Sequence, residues 1–315
     1  MTVLILRRVG TLCVTLLLTS LLIFLVMDLL PGDPASIMLG TSASADTLAA
    51  LQEELGLNQP LPMRYFYWLA GILRLDFGTS YTYGVPVAGL IAERLAVTLP
   101  LAALAMLVSV SMAIPLGVHA ARRHKRLPDL AIGLFSYVGL AIPSFWLGLL
   151  LILIFATGYG WLPAGGFPGW QAGIGSALAA LLLPALALAV PQAAVLTRVT
   201  RSSVLETLNE DFVRTALAKG LGEGAAVWRH AMPAALVPII TVLGLQSTFL
   251  VAGAVLVENV FNLPGLGRLA YQALAQRDLI VMQDVILFFA MLVIVMNFLV
   301  DLAYLWVDPR LRPQG

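Results

Sequence analysis

Long runs without a charged side chain constrain the fold of this chain more than any other feature. Asp, Glu, Lys and Arg are absent from Val9 to Met27, from Ala96 to Ala121 and from Ala231 to Val257. A helix rises about 1.5 Å per residue, so about 20 apolar residues cross the hydrocarbon core of a bilayer. Each run is close to this length or longer, and the sequence therefore predicts an integral membrane protein.

Two further runs raise the number of predicted spans to six. Leu130 to Thr197 carries no charge and is long enough for two spans, separated by a stretch rich in Gly, Pro and Trp at 158–175. Val285 to Val307 is interrupted only by Asp301. Prolines inside these runs are compatible with spans, because neighbouring helices can satisfy the freed backbone groups. The predicted spans are 9–30, 96–121, 131–156, 177–197, 236–257 and 285–307.

Composition supports a membrane protein and offers few residues for other chemistry. Hydrophobic residues make up 60% and charged residues 11% of the chain, against about 25% charged in soluble domains. A net charge of +1 gives no reason to expect a nucleic-acid partner. Cys13 is the single cysteine, and His119, His124 and His230 are scattered, so neither a disulfide nor a metal site is predicted.

The polarity pattern divides the chain into three parts. Residues 1–30 form the N-terminus and a retained first span, because the apolar run exceeds the 7–15 residues of a signal-peptide core. Residues 31–95 form a small extramembrane insert, whose aromatic cluster at 65–68 suits a membrane interface. Residues 96–315 form a five-helix core with a loop at 198–235. The insert either docks a substrate-binding protein or only packs over the spans, and both readings are open.

The stretch from Asn209 to Pro238 is the longest polar interruption in the downstream half. Asn209 is the predicted N-cap of a short helix with acidic residues in its first turn, and Gly220 is its predicted left-handed stop. A second helical piece is predicted from about Ala225 until Pro233 limits it. The sequence therefore predicts two short helices that meet at a bend.

This loop carries a resemblance to a known family. Arg214-Thr215-Ala216-x3-Gly220-x9-His230-x-Met232-Pro233 resembles the E-A-A-x3-G-x9-I-x-L-P loop of the membrane subunits of binding-protein-dependent ABC importers. The Gly and the Pro match, whereas Arg-Thr replaces Glu-Ala, and His and Met replace Ile and Leu. In that family the loop docks an ATPase subunit, and the resemblance implies this role for residues 209–233. The implied coupling residues are Arg214, Thr215, Ala216, Ala218, Lys219, Gly220 and Pro233.

Other segments resemble one branch of this family, which imports dipeptides, oligopeptides, nickel and glutathione. Leu-Pro-Gly-Asp-Pro follows the first span at 30–34, and Glu258 to Arg268 resembles the signature E-x-V-F-x-x-P-G-L-G-R. Asp301-Leu302 and Asp308-Pro309-Arg310 resemble its C-terminus. The resemblance covers nearly the whole chain, and it implies an all-α fold with six transmembrane helices, the type I permease fold.

The distribution of basic residues predicts the orientation. Of 18 Lys and Arg residues, 13 fall on the side of both termini and the 198–235 loop, and 5 on the other side. The positive-inside rule therefore predicts cytoplasmic termini in a multi-pass protein, which the resemblance would place in a bacterial inner membrane. The loop at 209–233 would then lie where an ATPase can reach it.

The chain lacks the residues that ATP hydrolysis requires. No G-x-x-x-x-G-K-[ST] phosphate loop occurs, and no Ser-His-Asp pattern indicates another enzyme. ATP and Mg²⁺ are therefore expected in partner ATPase subunits, with no cofactor in this chain. The resemblance further implies two such subunits or domains, a second similar permease, and a periplasmic or lipoprotein substrate-binding protein.

Polar residues inside the predicted spans are mostly neutral. Asp28, Glu258 and Asp301 lie near predicted ends, where a carboxylate is expected to reach water, and this argues against a self-sufficient ion-coupled transporter. Neutral polar side chains could line a translocation pathway or simply bond helix to helix. The candidate pathway residues are Gln246, Ser247, Thr248, Glu258 and Asn297.

Three function classes follow from these observations. The first is the permease subunit of an ATP-driven importer of small peptides, with nickel, another metal complex or glutathione as alternative substrates. The second is an ATP-independent channel or secondary transporter, which would not purify with a P-loop subunit. The third is a membrane scaffold without transport activity, whose deletion would leave the uptake of every solute intact.

Overall fold

The computed structural model describes residues 2–29, 34–39, 44–54 and 56–307. Within them the fold is helical, and the β-pairing consists of an isolated bridge between Thr79 and Pro86. The described residues do not include 31–33, which belong to the motif after the first span, or 308–312, which belong to the C-terminal motif. Arg310 and Arg312, two of the 13 basic residues assigned to the cytoplasmic side, are among them. The helices are α1 Thr2–Leu29, α2 Pro34–Leu39, α3 Ala45–Glu54, α4 Leu61–Leu73, α5 Val87–Arg122, α6 Leu127–Ala141, α7 Ser144–Leu151, α8 Ile174–Leu208, α9 Asp211–Ala218, α10 Glu223–Ala226, α11 Met232–Val260, α12 Leu266–Gln276 and α13 Leu279–Val307.

The predicted membrane character is confirmed. Five helical segments of the described chain are long and apolar enough to cross a bilayer, in α1, α5, α8, the α10–α11 segment and α13. A bent pair, α6 and α7, makes a sixth span if it is counted as one. Several helices run past the predicted bounds, because a helix can continue beyond the hydrocarbon until a cap or proline ends it. Glu93 and Arg94, for example, lie inside α5.

The third predicted span, 131–156, is not one continuous helix in the structure. The chain bends by 103° between α6 and the segment that begins at Ser144. Ile142 has an extended backbone (φ −86°, ψ 119°), which is the conformation that a following proline imposes, and Pro143 has no N–H to donate. α7 then passes into a π-helical turn at Ile152–Gly158. Pro100 in α5 shows the contrast, since that helix continues through it.

The centre of the bundle is formed by α5 and α8, with α11 packed against them. Leu101 of α5, Leu181 and Leu188 of α8, and Leu250 of α11 are buried in one cluster. Small residues let the helix axes approach closely. Gly117 of α5 is an example, because a Cβ there would lie 2.6 Å from the Cβ of Thr200 on α8.

The insert packs over α1 and α13. Trp68 of α4 packs against Phe24 of α1, with ring centroids 5.8 Å apart, and its indole N–H donates to Asp284 of α13 at 3.2 Å. Arg64 of α4 forms an ion pair with Asp28 of α1 at 2.8 Å. The insert is therefore anchored by aromatic packing and polar contacts, and a role in docking a binding protein stays a prediction.

The sixth helix begins earlier than predicted. α13 starts at Leu279 rather than 285, so the buried Asp284 lies inside it. A carboxylate can occupy this position because Trp68 donates a hydrogen bond to it. The helix start is fixed by the buried Asp278, which accepts from the backbone N–H of Val281 at 3.3 Å and from the Ser80 hydroxyl. The carboxylate that set the predicted boundary is thus buried with one hydrogen-bond donor, and its second oxygen has no partner among the described residues.

Candidate functional site

Two short helices connect α8 to α11 in a helical hairpin, as the loop pattern predicts. The N-cap of the first of them, α9, is not the predicted residue. The N-cap of α9 is Glu210, with extended backbone angles (φ −71°, ψ 146°). The prediction of Asn209 as N-cap is wrong. Asn209 instead ends α8, and its side-chain amide donates to the carbonyl of Leu205 at 2.9 Å. The short polar side chain thus satisfies a carbonyl at the end of the preceding helix.

The bend after α9 is made by Gly220. Lys219 is the C-cap, and Gly220 has φ +89°, so the predicted left-handed stop is confirmed. The N–H of Leu221 closes the turn by donating to the carbonyl of Ala216 at 3.2 Å. A Cβ at residue 220 would meet nothing within 4 Å. Glycine is therefore favoured here by backbone conformation alone.

The second arm of the hairpin is continuous with a membrane span, and the predicted stop at Pro233 is wrong. α10 passes through a π-helical turn at Val227–Ala231 directly into α11. Pro233 occupies the first turn of α11, where a missing N–H is tolerated, and the wider turn before it makes room for the ring. A displacement of this arm would therefore be transmitted directly to α11.

One buried side chain holds α9 against the second arm. Val213 is fully buried, packing with Ala226 and Ala231, while the rest of α9 is largely exposed. Arg214 and Asp211 form only a long, exposed ion pair at 3.9 Å. The other predicted coupling residues also lie on this hairpin, Ala216 half-buried and Thr215, Ala218, Lys219, Gly220 and Pro233 exposed.

The hairpin also exposes two aromatic side chains that the motif comparison missed. Phe212 is 47% and Trp228 is 52% exposed. Exposed apolar surface amid polar residues is typical of a protein interface. Large aromatic residues within a polar loop are the sequence signal that could have identified them.

The predicted pathway residues do not form one site. Gln246 is buried, and its amide donates to the Gln192 carbonyl at 2.9 Å, while the Ser247 hydroxyl donates to the Gly244 carbonyl of its own helix at 2.6 Å. Thr248 is half-buried beside them, and Asn297 is exposed on α13. These contacts match the helix-to-helix alternative for Gln246, and a pathway role for the set stays a prediction.

Glu258 is fully buried, so the expectation that it reaches water is wrong. Its carboxylate accepts hydrogen bonds from the Thr98 hydroxyl at 2.6 Å and from the backbone N–H groups of Gly267 at 2.7 Å and Arg268 at 3.1 Å. Thr98 in turn accepts from the N–H of Leu266 at 2.8 Å. Glu258 and Thr98 together cap the N-terminus of α12, which folds back over the end of α11.

Two glycines make room for this carboxylate. A Cβ at Gly265 would overlap the carboxylate of Glu258, and a Cβ at Gly267 would lie 2.5 Å from the Cα of Val255. The spacing of the Glu and the two Gly residues in the signature thus has a physical reason. We call residues 258–268 the capped loop and residues 209–233 the hairpin.

With this geometry established, comparison with known proteins places the chain. Residues 113–313 match the family described as "Binding-protein-dependent transport system inner membrane component". Residues 1–102 match the N-terminal region described for the same class of membrane component. The chain belongs to this family. It is a multi-pass inner-membrane permease subunit of a transporter, consistent with its apolar helices.

The sequence similarity to individual relatives covers nearly the whole chain. The chain is 41% identical over 312 residues to the "Probable peptide ABC transporter permease protein y4tP" of Sinorhizobium fredii, covering 99% of this chain and 100% of that protein. It is 39% identical over 308 residues to the "Glutathione transport system permease protein GsiC" of Salmonella choleraesuis, covering 98% of each.

A solved structure supports the predicted fold. A chain of the MetNI methionine ABC transporter, in an inward-facing conformation, matches with a TM-score of 0.56 at 19% identity. The match covers 70% of this chain and 96% of that one. At this identity the likeness speaks for the fold alone, and it confirms the type I permease architecture.

Proposed function

We propose that this chain is the permease subunit of an ATP-driven importer of small peptides. The full-length similarity to a peptide permease and to a glutathione permease supports the substrate class. Glutathione, itself a small peptide, is the second candidate for the same reason. The partners in this proposal are a second permease of similar fold, two ATPase subunits that bind ATP and Mg²⁺, and a substrate-binding protein outside the membrane.

The proposal places both termini and the hairpin in the cytoplasm. Support comes from the basic residues near the hairpin and in the loop between α5 and α6. A labelling experiment tests it with Glu223→Cys, an exposed hairpin position, after Cys13→Ser removes the native thiol. We expect a membrane-impermeant maleimide to react only in inverted vesicles. Reaction from the outside of intact cells would contradict the orientation.

The observation that carries the proposal is the construction of the hairpin. α9 is held by Val213 alone in a buried contact, exposes aromatic and charged side chains, and leads through Gly220 into an arm continuous with α11. An ATPase docked on α9 would therefore displace a membrane span when it changes conformation. Closure of the ATPase pair on ATP would in this way switch the spans between inward-open and outward-open arrangements.

The test is a pair of matched substitutions in the hairpin. Gly220→Val places a side chain where φ is +89°, whereas Gly222→Val places the same side chain at φ −63°, and both added Cβ atoms meet open space. We expect Gly220→Val to abolish uptake of a labelled dipeptide at normal membrane abundance. We expect Gly222→Val to retain most uptake.

Three outcomes would contradict the proposal. Normal uptake by Gly220→Val would show that the bend does not couple the subunits. Uptake that continues after deletion of every co-purifying P-loop protein would indicate a channel or secondary transporter. Unchanged uptake of dipeptides and glutathione after deletion of this chain would indicate a scaffold or another substrate class.

A further inference from the structure

A groove of about 380 Å³ lies between α6 and α8, at the ends of these helices that carry basic residues. Leu130, Ile132 and Leu134 of α6 line it, together with Gly133. Leu130 and Leu134 are 66% and 64% exposed. In a membrane protein, such a face meets either lipid acyl chains or another protein.

A single uncompensated positive charge lies in this groove. Arg198 is the first charged residue after the uncharged run from Leu130 to Thr197, and it is exposed in the groove. Its guanidinium has no ion pair or hydrogen bond to any residue that the structure describes. Arg201, one turn further along α8, is different, since it donates to the Asp129 carboxylate at 2.8 Å and contacts His124 at 3.1 Å.

The surroundings of Arg198 mark the level of lipid headgroups. The end of α5 and the adjoining α5–α6 connection contribute four more cations, and Tyr137 lines the groove with 68% of its surface exposed. Tyrosine is enriched where the hydrocarbon ends, and basic pockets between membrane helices on the cytoplasmic side bind anionic headgroups. The four cations are Arg122, Arg123, Lys125 and Arg126.

We propose that this groove binds an anionic phospholipid. The phosphate accepts hydrogen bonds from Arg198, and one acyl chain lies along Leu130 and Leu134. Charge complementarity favours a lipid over a second permease. The headgroup layer supplies phosphate at that depth, whereas a protein covering Arg198 would have to supply an acceptor of its own there, as Asp129 does for Arg201.

The headgroup is tested on the assembled transporter by native mass spectrometry, with phosphatidylglycerol and phosphatidylethanolamine of identical chains. We expect preferential retention of phosphatidylglycerol, and about tenfold weaker retention in Arg198→Gln, because a charge-assisted hydrogen bond to phosphate is lost. Arg122→Gln is the matched control, since it removes the same charge outside the groove lining and should change retention less than twofold.

The acyl site is tested separately by filling the groove. A Cβ at Gly133 meets nothing within 4 Å, so the side chain added by Gly133→Leu begins in open space beside the groove. We expect this variant to lose the bound lipid while eluting as an intact complex. Gly89→Leu on α5, where a Cβ also meets open space, is the control and should keep it.

Three results would overturn the proposal: equal retention of the two lipids, equal effects of Arg198→Gln and Arg122→Gln, or bound lipid in Gly133→Leu. Disulfide cross-linking of Leu134→Cys to another permease chain would show that a protein covers the groove instead. The readout is lipid retention and not uptake, so the proposed transport function stands or falls independently.

Discussion

The hairpin and the capped loop both connect to α11, at its opposite ends, and they are built in contrasting ways. In the hairpin, α9 buries one side chain, Val213, and exposes most of the others. In the capped loop, the carboxylate of Glu258 is fully buried and accepts three hydrogen bonds. The hairpin end of α11 is therefore held by few buried contacts, and the capped-loop end is held by a buried hydrogen-bond network.

This difference suits a span that moves about a fixed end. An element with few buried contacts can be shifted by a docked partner at small cost. A buried carboxylate with all its partners in place resists displacement, because each broken bond would leave a polar group without water. Substitutions at the two ends of α11 should therefore act on different properties, on stability at the capped loop and on coupling at the hairpin.

The largest effect is expected from Gly265→Ala in the capped loop. The added methyl group would overlap the Glu258 carboxylate and force it from its donors. Breaking a buried charged site typically costs about 3 kcal/mol or more, so we expect a marked fall in the unfolding temperature of the purified subunit. Gly222→Ala in the hairpin, where the methyl meets open space, should leave that temperature unchanged. Equal stability of the two variants would remove the contrast between the loops.

A smaller loss of stability is expected when single hydrogen-bonding groups of the Glu258–Thr98 network are changed. Glu258→Gln keeps the shape but removes the charge, and Thr98→Val removes the hydroxyl that bonds both Glu258 and the N–H of Leu266. Each should cost about 1–3 kcal/mol. Because both residues belong to one network, the double variant should lose less than the sum. Thermal unfolding of all four proteins measures this, and strict additivity would mean that the two groups act independently.

The sequence predicted the spans better than it predicted their interruptions. Uncharged runs identified the membrane helices because exclusion of charge is a property of each segment alone. The break before Pro143 was missed, since a proline within an uncharged run does not by itself show whether the helix continues through it, as at Pro100, or ends before it. Spacing within a motif likewise gave the left-handed turn at Gly220, whose geometry is local.

At the candidate sites, the main error of the sequence-based predictions was to miss the burial of two carboxylates. Glu258 was judged by its distance from a predicted span end, and Asp284 was left outside the sixth predicted span. Both carboxylates are instead buried against partners far away in sequence, Thr98 and Trp68 respectively. Thr98 lies in α5 and Trp68 in α4, and the hydrophobicity of a segment does not show which residues of another helix will contact it. The two glycines that follow Glu258 were the available signal, because glycine at fixed spacing after a carboxylate indicates close approach of the backbone.

At the hairpin, Val213→Ala should loosen α9 without destabilising the bundle. The substitution removes two buried methyl groups, about 1.6 kcal/mol of apolar burial, from a small cluster formed by the hairpin and Leu208 at the end of α8. Hydrogen exchange of residues 211–218 should accelerate, while the global unfolding temperature stays near that of the parent. Thr215→Ala, on the exposed face, is the control and should leave exchange nearly unchanged. A global loss of stability would mean that α9 is part of the main core.

The smallest effect on stability is expected from Arg214→Ala. Its ion pair with Asp211 is long and exposed, and such pairs contribute little. The unfolding temperature should not shift measurably. Co-purification of the ATPase subunits should nevertheless fall if Arg214 contacts them, whereas Arg74→Ala, an exposed cation in the insert, should leave co-purification unchanged. Loss of ATPase retention with unchanged stability would place the docking surface on α9. Full retention in Arg214→Ala would instead point to the exposed aromatic residues Phe212 and Trp228 as the docking contact, which Trp228→Ala then tests in the same assay.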